Sequence, residues 1–221
     1  MERRPVLALV GTALTLPGLT GCLLAPDDSG GGDRDPAAGD GPQTTDGGRE
    51  SRFAGEPCPS FVGNAARTVC YHTVAASTEP VVLSPSVETV GAPTTDGGEG
   101  DGISFQLRND GADVVGLNPH DWRIERRTAE GWEHVAPDMY IEPWTTLERA
   151  ERVTWHLGED PTESDAVAAV RVDESLDAGV YAFGTSGVVT GGGYDDVTPQ
   201  TAVDGPDGVR VEWIALFEVT G

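Results

Sequence analysis

The stretch VRVEWIALFEV, residues 209–219, places Val209, Val211, Trp213, Ala215, Phe217 and Val219 at every second position. A period of two puts those side chains on one face of an extended chain, so the run predicts a strand with one face in a core, the longest in the sequence. The same alternation recurs upstream. ISFQLRN (103–109) sets Ile103, Phe105 and Leu107 against Ser104, Gln106 and Arg108, and VTWHL (153–157) sets Val153, Trp155 and Leu157 against Thr154 and His156. Shorter apolar runs lie at 81–86 (VVLSPS), 121–127 (DWRIERR), 131–135 (GWEHV), 166–172 (AVAAVRV) and 179–184 (GVYAFG). Turn residues separate them: Asn109-Asp110-Gly111, Ala129-Glu130-Gly131, Asp177-Ala178-Gly179 and Asp207-Gly208. TESDAVAAV (162–170) competes as a helix capped by Thr162 or Ser164, but it is short and runs into β-branched residues. The pattern predicts an all-β domain, an antiparallel two-sheet sandwich, with a closed barrel as the structural alternative.

The chain has 221 residues, 37 of them Asp or Glu and 14 Lys or Arg, for a net charge of −23. Every one of the 14 cations is an arginine. Such a charge repels phosphate backbones and anionic lipid heads, which makes nucleic acid a poor partner. In molar salt the Debye length falls to roughly 3 Å, so repulsion among surface carboxylates is screened while their hydration keeps the protein soluble. The composition therefore points to a high-salt habitat.

The first 22 residues, MERRPVLALVGTALTLPGLTGC, join Arg3 and Arg4 to an apolar stretch from Val6 to Leu19 that is short and broken by Gly and Pro. This reads as an export signal, residues 1–21, rather than a membrane span. The arginine pair resembles the twin-arginine type, with general secretion as the other route. Leu19-Thr20-Gly21-Cys22 resembles the lipobox of prokaryotic lipoproteins, which implies a lipid on the Cys22 sulfur and an anchor at the outer side of the cell membrane. One chain alone gives only marginal anchoring, so two chains or a diether lipid are expected.

Residues 22–56 carry Gly, Asp and Pro with a single large apolar residue beyond the first few positions, Phe53. That composition cannot offset its ordering entropy and predicts a disordered acidic linker, with the folded domain at 57–221. A flexible tether of this length spans roughly 30 Å and, fully stretched, about 100 Å. Cys58 and Cys70 follow in PCPSFVGNAARTVCYHTV (57–74). In an oxidising compartment they pair as a disulfide. A metal site from Cys58, Cys70 and His72 is the competing arrangement and lacks a fourth ligand at zinc spacing.

The order of the pieces resembles an immunoglobulin-like β-sandwich family of prokaryotic surface lipoproteins. The resemblance rests on ISFQLRNDGADVVGLNPHDWRIERRTAEGWEHV (103–135), ERVTWHL (151–157), LDAGVYAF (176–183) and WIALFEV (213–219). A strand ending in Asn meets a short crossing, a hairpin on a Gly-Trp turn, and later an L-x-x-G-x-Y strand start. The CP and VCYH motifs ahead of it are similar to those of acidic secreted proteins of halophilic archaea. Covering residues 57–221, the resemblance implies fold and location. The family's molecular activity is undefined, and these motifs are strand grammar rather than chemistry.

No catalytic or cofactor site is expected. The four histidines show no His-x-x-x-His spacing; His120 falls in a bend after Asn118-Pro119, and His156 lies on an outward strand face. A blue-copper site needs Cys, His and Met close together near the end, whereas here Cys70 is the last cysteine and Met139 the only methionine after Met1. GTSG (184–187) is not a nucleophile elbow. The loops DGGEGDG (96–102) and TGGGYDD (190–196) could hold Ca²⁺ through Asp96, Asp101, Asp195 and Asp196, or be solvated. Trp122 and Trp132 are expected in the core. Trp144 either caps an open end of the sandwich or forms with Tyr140 an exposed aromatic contact surface. These readings converge on a non-enzymatic, lipid-anchored binding or accessory module with a protein partner at the cell surface. The alternative is a secreted proteinase inhibitor presenting residues 185–208.

Overall fold

The computed structural model of the chain describes residues 51–74, 78–91, 102–139, 141–158, 160–161, 165–191 and 208–221. They form an all-β sandwich of two sheets. In chain order the strands are β1 (Arg67–Cys70), β2 (Val81–Pro85), β3 (Thr89–Gly91), β4 (Ile103–Asn109), β5 (Val114–Arg127) and β6 (Trp132–Ala136). The series continues with β7 (Thr145–Leu147), β8 (Arg152–Leu157), β9 (Ala168–Val172), β10 (Gly179–Thr190) and β11 (Val209–Thr220), and a 3₁₀ turn, Tyr71–Thr73, follows β1. The helix alternative near 162–170 gives way to β9, whose Val170 and Val172 alternate into the core. Among the described residues no helix is long and apolar enough to cross a membrane.

The larger sheet is built on three long antiparallel strands, β11, β10 and β5, and each outer edge of this trio is covered by two short strands. Along β11, β1 pairs with Val211–Ile214 and β3 with Glu218–Thr220. Along β5, β7 pairs with 115–117 and β6 with 124–127. Short edge strands leave little continuous backbone for another chain to pair with. The smaller sheet runs β2-β4-β8-β9. Both sheets are mixed rather than purely antiparallel, because β1 and β3 on β11 and β9 on β8 are parallel pairs. Side-chain alternation is the same in parallel and antiparallel strands, so the sequence pattern carried no information on direction.

Aromatic rings fill the space between the sheets. Phe105 of β4 stacks on Phe183 of β10 with centroids 4.2 Å apart, and Trp155 of β8 and Trp122 of β5 lie 5.5 and 6.1 Å from the same Phe183 ring. Trp213 and Phe217 are fully buried, as the alternation in 209–219 requires. At 14 residues β5 exceeds β11 at 12, so the 209–219 run is not the longest strand. The sequence hid this because β5 passes through Asn118-Pro119. Thr185 pairs with Trp122 and Gly187 with Leu117, so residues 118–121 bulge from the ladder. Two hydrogen bonds hold the bulge: Trp155 Nε1 donates to the Pro119 carbonyl at 2.7 Å and Thr185 Oγ1 to that of Asp121 at 3.0 Å.

The outer face of the larger sheet is also covered. Seven consecutive residues of β10 (181–187) and seven of β11 (211–217) are buried, which alternation with one wet face does not produce. Phe53, Cys70, Ala182, Ile214 and Leu216 form a second apolar cluster there, flanked by Phe61, Trp132 and Val180. Trp132 thus belongs to this outer layer, partly buried and edge-on to Phe61, and not to the inter-sheet core. The sandwich's contacts also begin before residue 57: Phe53 is 5% exposed, Arg52 pairs with Glu218, and Glu56 pairs with Arg127 at 2.8 Å. The one aromatic side chain of the expected linker finds an apolar seat, which offsets the ordering of its neighbours.

Two devices pin this layer. Cys58 and Cys70 form a disulfide, with Cα atoms 5.7 Å apart and the cysteines 12 positions apart in sequence. Glu212, 1% exposed, accepts from the Phe61 and Val62 amides through Oε1 (2.9 and 3.1 Å) and from Ser60 and Thr68 hydroxyls through Oε2 (2.9 and 3.2 Å). Four donors satisfy a carboxylate that would otherwise be costly to bury. Glu212→Ala strands two main-chain donors and should lower the unfolding free energy by about 2–4 kcal/mol. Urea melts check this, and an unchanged midpoint would refute the pinning role.

Candidate functional site

The bulge of β5, the β6 strand and the connection after it enclose a cleft of about 420 Å³. Asp121, Trp122 and Arg123 supply one wall, and His134, Pro137 and Asp138 the other, with Met139 at the rim. The hairpin turn between β5 and β6 contains Gly131 at φ +136°, and the Thr128 amide donates to the Gly131 carbonyl at 2.7 Å. This turn places His134 opposite Glu125 in the ladder.

His134 is held at both ring nitrogens. Nδ1 lies 3.0 Å from a Glu125 carboxylate oxygen and Nε2 lies 3.1 Å from the Pro137 carbonyl oxygen. Both partners are acceptors only, so satisfying both requires the doubly protonated ring. Partial burial opposes that charge, as does Arg123. The Pro137 and Glu125 hydrogen bonds and the Glu125 charge outweigh them, and the imidazole titrates above 6.5. The imidazolium thereby neutralises a Glu125 side chain that is 8% exposed and ties the start of the 137–144 segment to the sheet.

Residues 137–139 and 141–144 then run beside β5 as a strap. Asn118 Nδ2 donates to the Ile141 carbonyl at 2.7 Å. Trp144 rests on Gly116, where even a Cβ would come within 2.5 Å of the indole, so only glycine admits the ring in this position. Trp144 does not cap the sandwich. It is 62% exposed, with Ile141 at 64% and Met139 at 86%. Trp144 is thus exposed, and Tyr140 lies outside the described residues.

Other expected positions fall elsewhere. Cys58 and Cys70 are bonded to each other, so neither is a free thiolate ligand. Cys22, Asp96, Asp101, Asp195 and Asp196 lie outside the described residues. His120 is in the bulge, where its amide donates to Asn118 Oδ1 at 2.9 Å. His156 faces away from the core as its position in β8 requires, yet it is 7% exposed instead of open to solvent, set between Ser104 of β4 and Arg171 of β9. His72 is buried with Nε2 3.1 Å from the Glu56 carbonyl oxygen. Among the described residues no three of His, Cys, Asp and Glu converge as a metal site would require. Of the segment 185–208, residues 185–190 belong to β10, and 192–207 lie outside the described residues. Neither the Glu125–His134 pair nor the Glu212 cradle was legible in the sequence, although the one-for-one register of 125–127 with 132–134 aligns the first.

No family model matches the sequence, and no curated protein matches it at a significant level.

Because the folded pKa of His134 is raised, its contribution to stability is complete below 6.5 and is lost as pH rises through the folded value. Urea unfolding across that range should show stability falling with increasing pH, and His134→Gln should remove this component. A variant with the wild-type pH profile would contradict the assignment.

Proposed function

We propose that the chain is a lipid-anchored extracytoplasmic module: an immunoglobulin-like sandwich joined by its acidic amino-terminal segment to a lipid on Cys22. It acts by recognition, as a binding or accessory domain of a surface complex in a high-salt habitat. One observation carries this reading. The chain has three cysteines, and Cys58 and Cys70 are joined in a disulfide, so the cysteine left over is the one that ends the apolar stretch at Leu19-Thr20-Gly21-Cys22. A disulfide accords with an oxidising compartment outside the cytoplasm.

The immunoglobulin-like assignment is supported by Tyr181. Its ring is 1% exposed at the start of β10 and its hydroxyl donates to the Asp177 carbonyl at 2.8 Å, four residues upstream. A buried tyrosine bonding back to the preceding turn is a recurrent corner of such sandwiches. The L-x-x-G-x-Y spacing, Leu176 to Tyr181, is its sequence form.

Fractionation of cells grown in native salt tests the anchor. The wild-type chain should remain with membranes and partition into detergent, and Cys22→Ser should be released with its fold intact. Mass spectrometry should find residue 22 as a modified amino terminus. An unprocessed chain starting at Met1 in the cytosol would overturn the proposal.

A further inference from the structure

The strap, residues 137–139 and 141–144, turns Met139, Ile141 and Trp144 outward while its backbone is fastened inward. Met139, Ile141 and Trp144 are the most exposed large apolar residues among those described, and they fall within six positions. Looseness does not explain their exposure, since Asn118, His134 and Gly116 fix the strap at its middle and both ends. A surface already held in place loses little entropy when a partner covers it.

The acids beside it are also uncommitted, and at three they outnumber the one unpaired cation described in the cleft, Arg123. Among the described residues the carboxylates of Asp121, Asp138 and Glu142 have neither an ion-pair nor a hydrogen-bond partner, whereas most described arginines are already paired with an acid. A second copy of this chain, or an anionic lipid surface, would bring more negative charge to a molecule that already carries −23. A basic polypeptide meets no such penalty, and the free face of Trp144 suits a guanidinium or ammonium group as well as an aliphatic chain.

We propose that the strap and the adjoining cleft form a docking surface for a basic, amphipathic segment of a protein partner. Apolar side chains of that segment cover Met139, Ile141 and Trp144, and its cations meet Asp121, Asp138 and Glu142. This names the partner class of the recognition module proposed above and rests on that reading, but not on the lipid.

The probe is a short synthetic peptide alternating arginine and leucine, with a glutamate–leucine peptide as its acidic counterpart. Each is titrated into the full chain carrying Cys22→Ser in molar salt, where a Debye length of roughly 3 Å suppresses diffuse attraction. The basic peptide should saturably shift the NMR signals of the Trp144 indole and the Met139 methyl, and the acidic one should not bind. Ile141→Ser with Trp144→Ala should weaken binding about tenfold or more. Asp138→Asn with Glu142→Gln should weaken it severalfold and flatten its salt dependence. Trp144→Ala also removes the anchor on Gly116, so the carboxylate pair, which holds none of the strap's anchors, is the control: its thermal melt should match the wild type while its binding falls.

Equal affinity of both double variants and the wild type, or shifts scattered over the acidic surface, would overturn the proposal. So would Trp144-dependent self-association in sedimentation, or Trp144-dependent flotation with phosphatidylglycerol vesicles, because either assigns the surface to another occupant. Loss of membrane retention in the fractionation experiment tests Cys22 alone, so the two readings fail separately.

Discussion

The ring of Phe183 stands where the two sheets meet, and much of the molecule is arranged around it. It stacks on Phe105 from the opposite sheet and is approached by Trp155 and Trp122. Rings of this size bury enough surface that removing one costs on the order of 3–5 kcal/mol. Their consequence here is positional. Burying Trp155 beside Phe183 costs least with its indole N–H satisfied, and the acceptor it finds is the Pro119 carbonyl in the bulge of β5. The bulge is thus tied to the core by a buried hydrogen bond, and it sets Asp121, Trp122 and Arg123 along one wall of the cleft. The geometry of an exposed surface is in this way fixed by packing between the sheets.

The second constraint acts on the other side of the larger sheet. A two-sheet sandwich leaves each outer face to solvent, yet Ile214 and Leu216 of β11 and Ala182 of β10 need cover there. The segment 51–66 supplies it with Phe53 and Phe61, and Glu212 supplies the polar matching, since its oxygens receive the amides that a chain crossing a sheet face would otherwise leave unpaired. The disulfide ties the same segment to the end of β1. A short acidic protein thereby gains a third layer without a third sheet.

What could be read in the sequence followed from periodicity. Where one face of a strand is wet, as in β4, alternation located the element from Ile103 to Asn109 with no error at either end. Where both faces are covered, as in β10 and β11, alternation marked the inward face, and Ile214 and Leu216 on the opposite face were the unread sign of a second cluster. The three-residue strands β3 and β7 carry too few positions to show a period and take their pairing from a long neighbour. Trp144 was ambiguous because composition places an indole equally well over a core or on a surface; its orientation is decided by Gly116 on another strand. Glu212 could not be singled out among 37 acidic residues, because only the folded chain brings the Phe61 and Val62 amides to it.

Charge follows its own logic in such a chain. Carboxylates outnumber arginines so heavily that a folded surface can supply nearly every arginine with a partner and still leave most acids without one. Arg108 and Arg171 find acids on or near their own strands, and Arg126 finds Asp177 just before the neighbouring β10. Exposed pairs of this kind stabilise little, and less as salt rises. Arg123, like Arg149 and Arg210, has no acidic partner among the described residues, and its one hydrogen bond is a long one, 3.4 Å to the Phe61 carbonyl. It sits in the cleft wall between Asp121 in its own strand and His134 across the ladder, where its charge opposes that of the imidazolium. Glu125 therefore belongs to His134 and not to Arg123, two residues before it, and the cleft keeps a cation and two free carboxylates side by side. In a molecule this acidic, an arginine kept out of an ion pair is the scarcer arrangement, and it occurs beside the most exposed apolar side chains described.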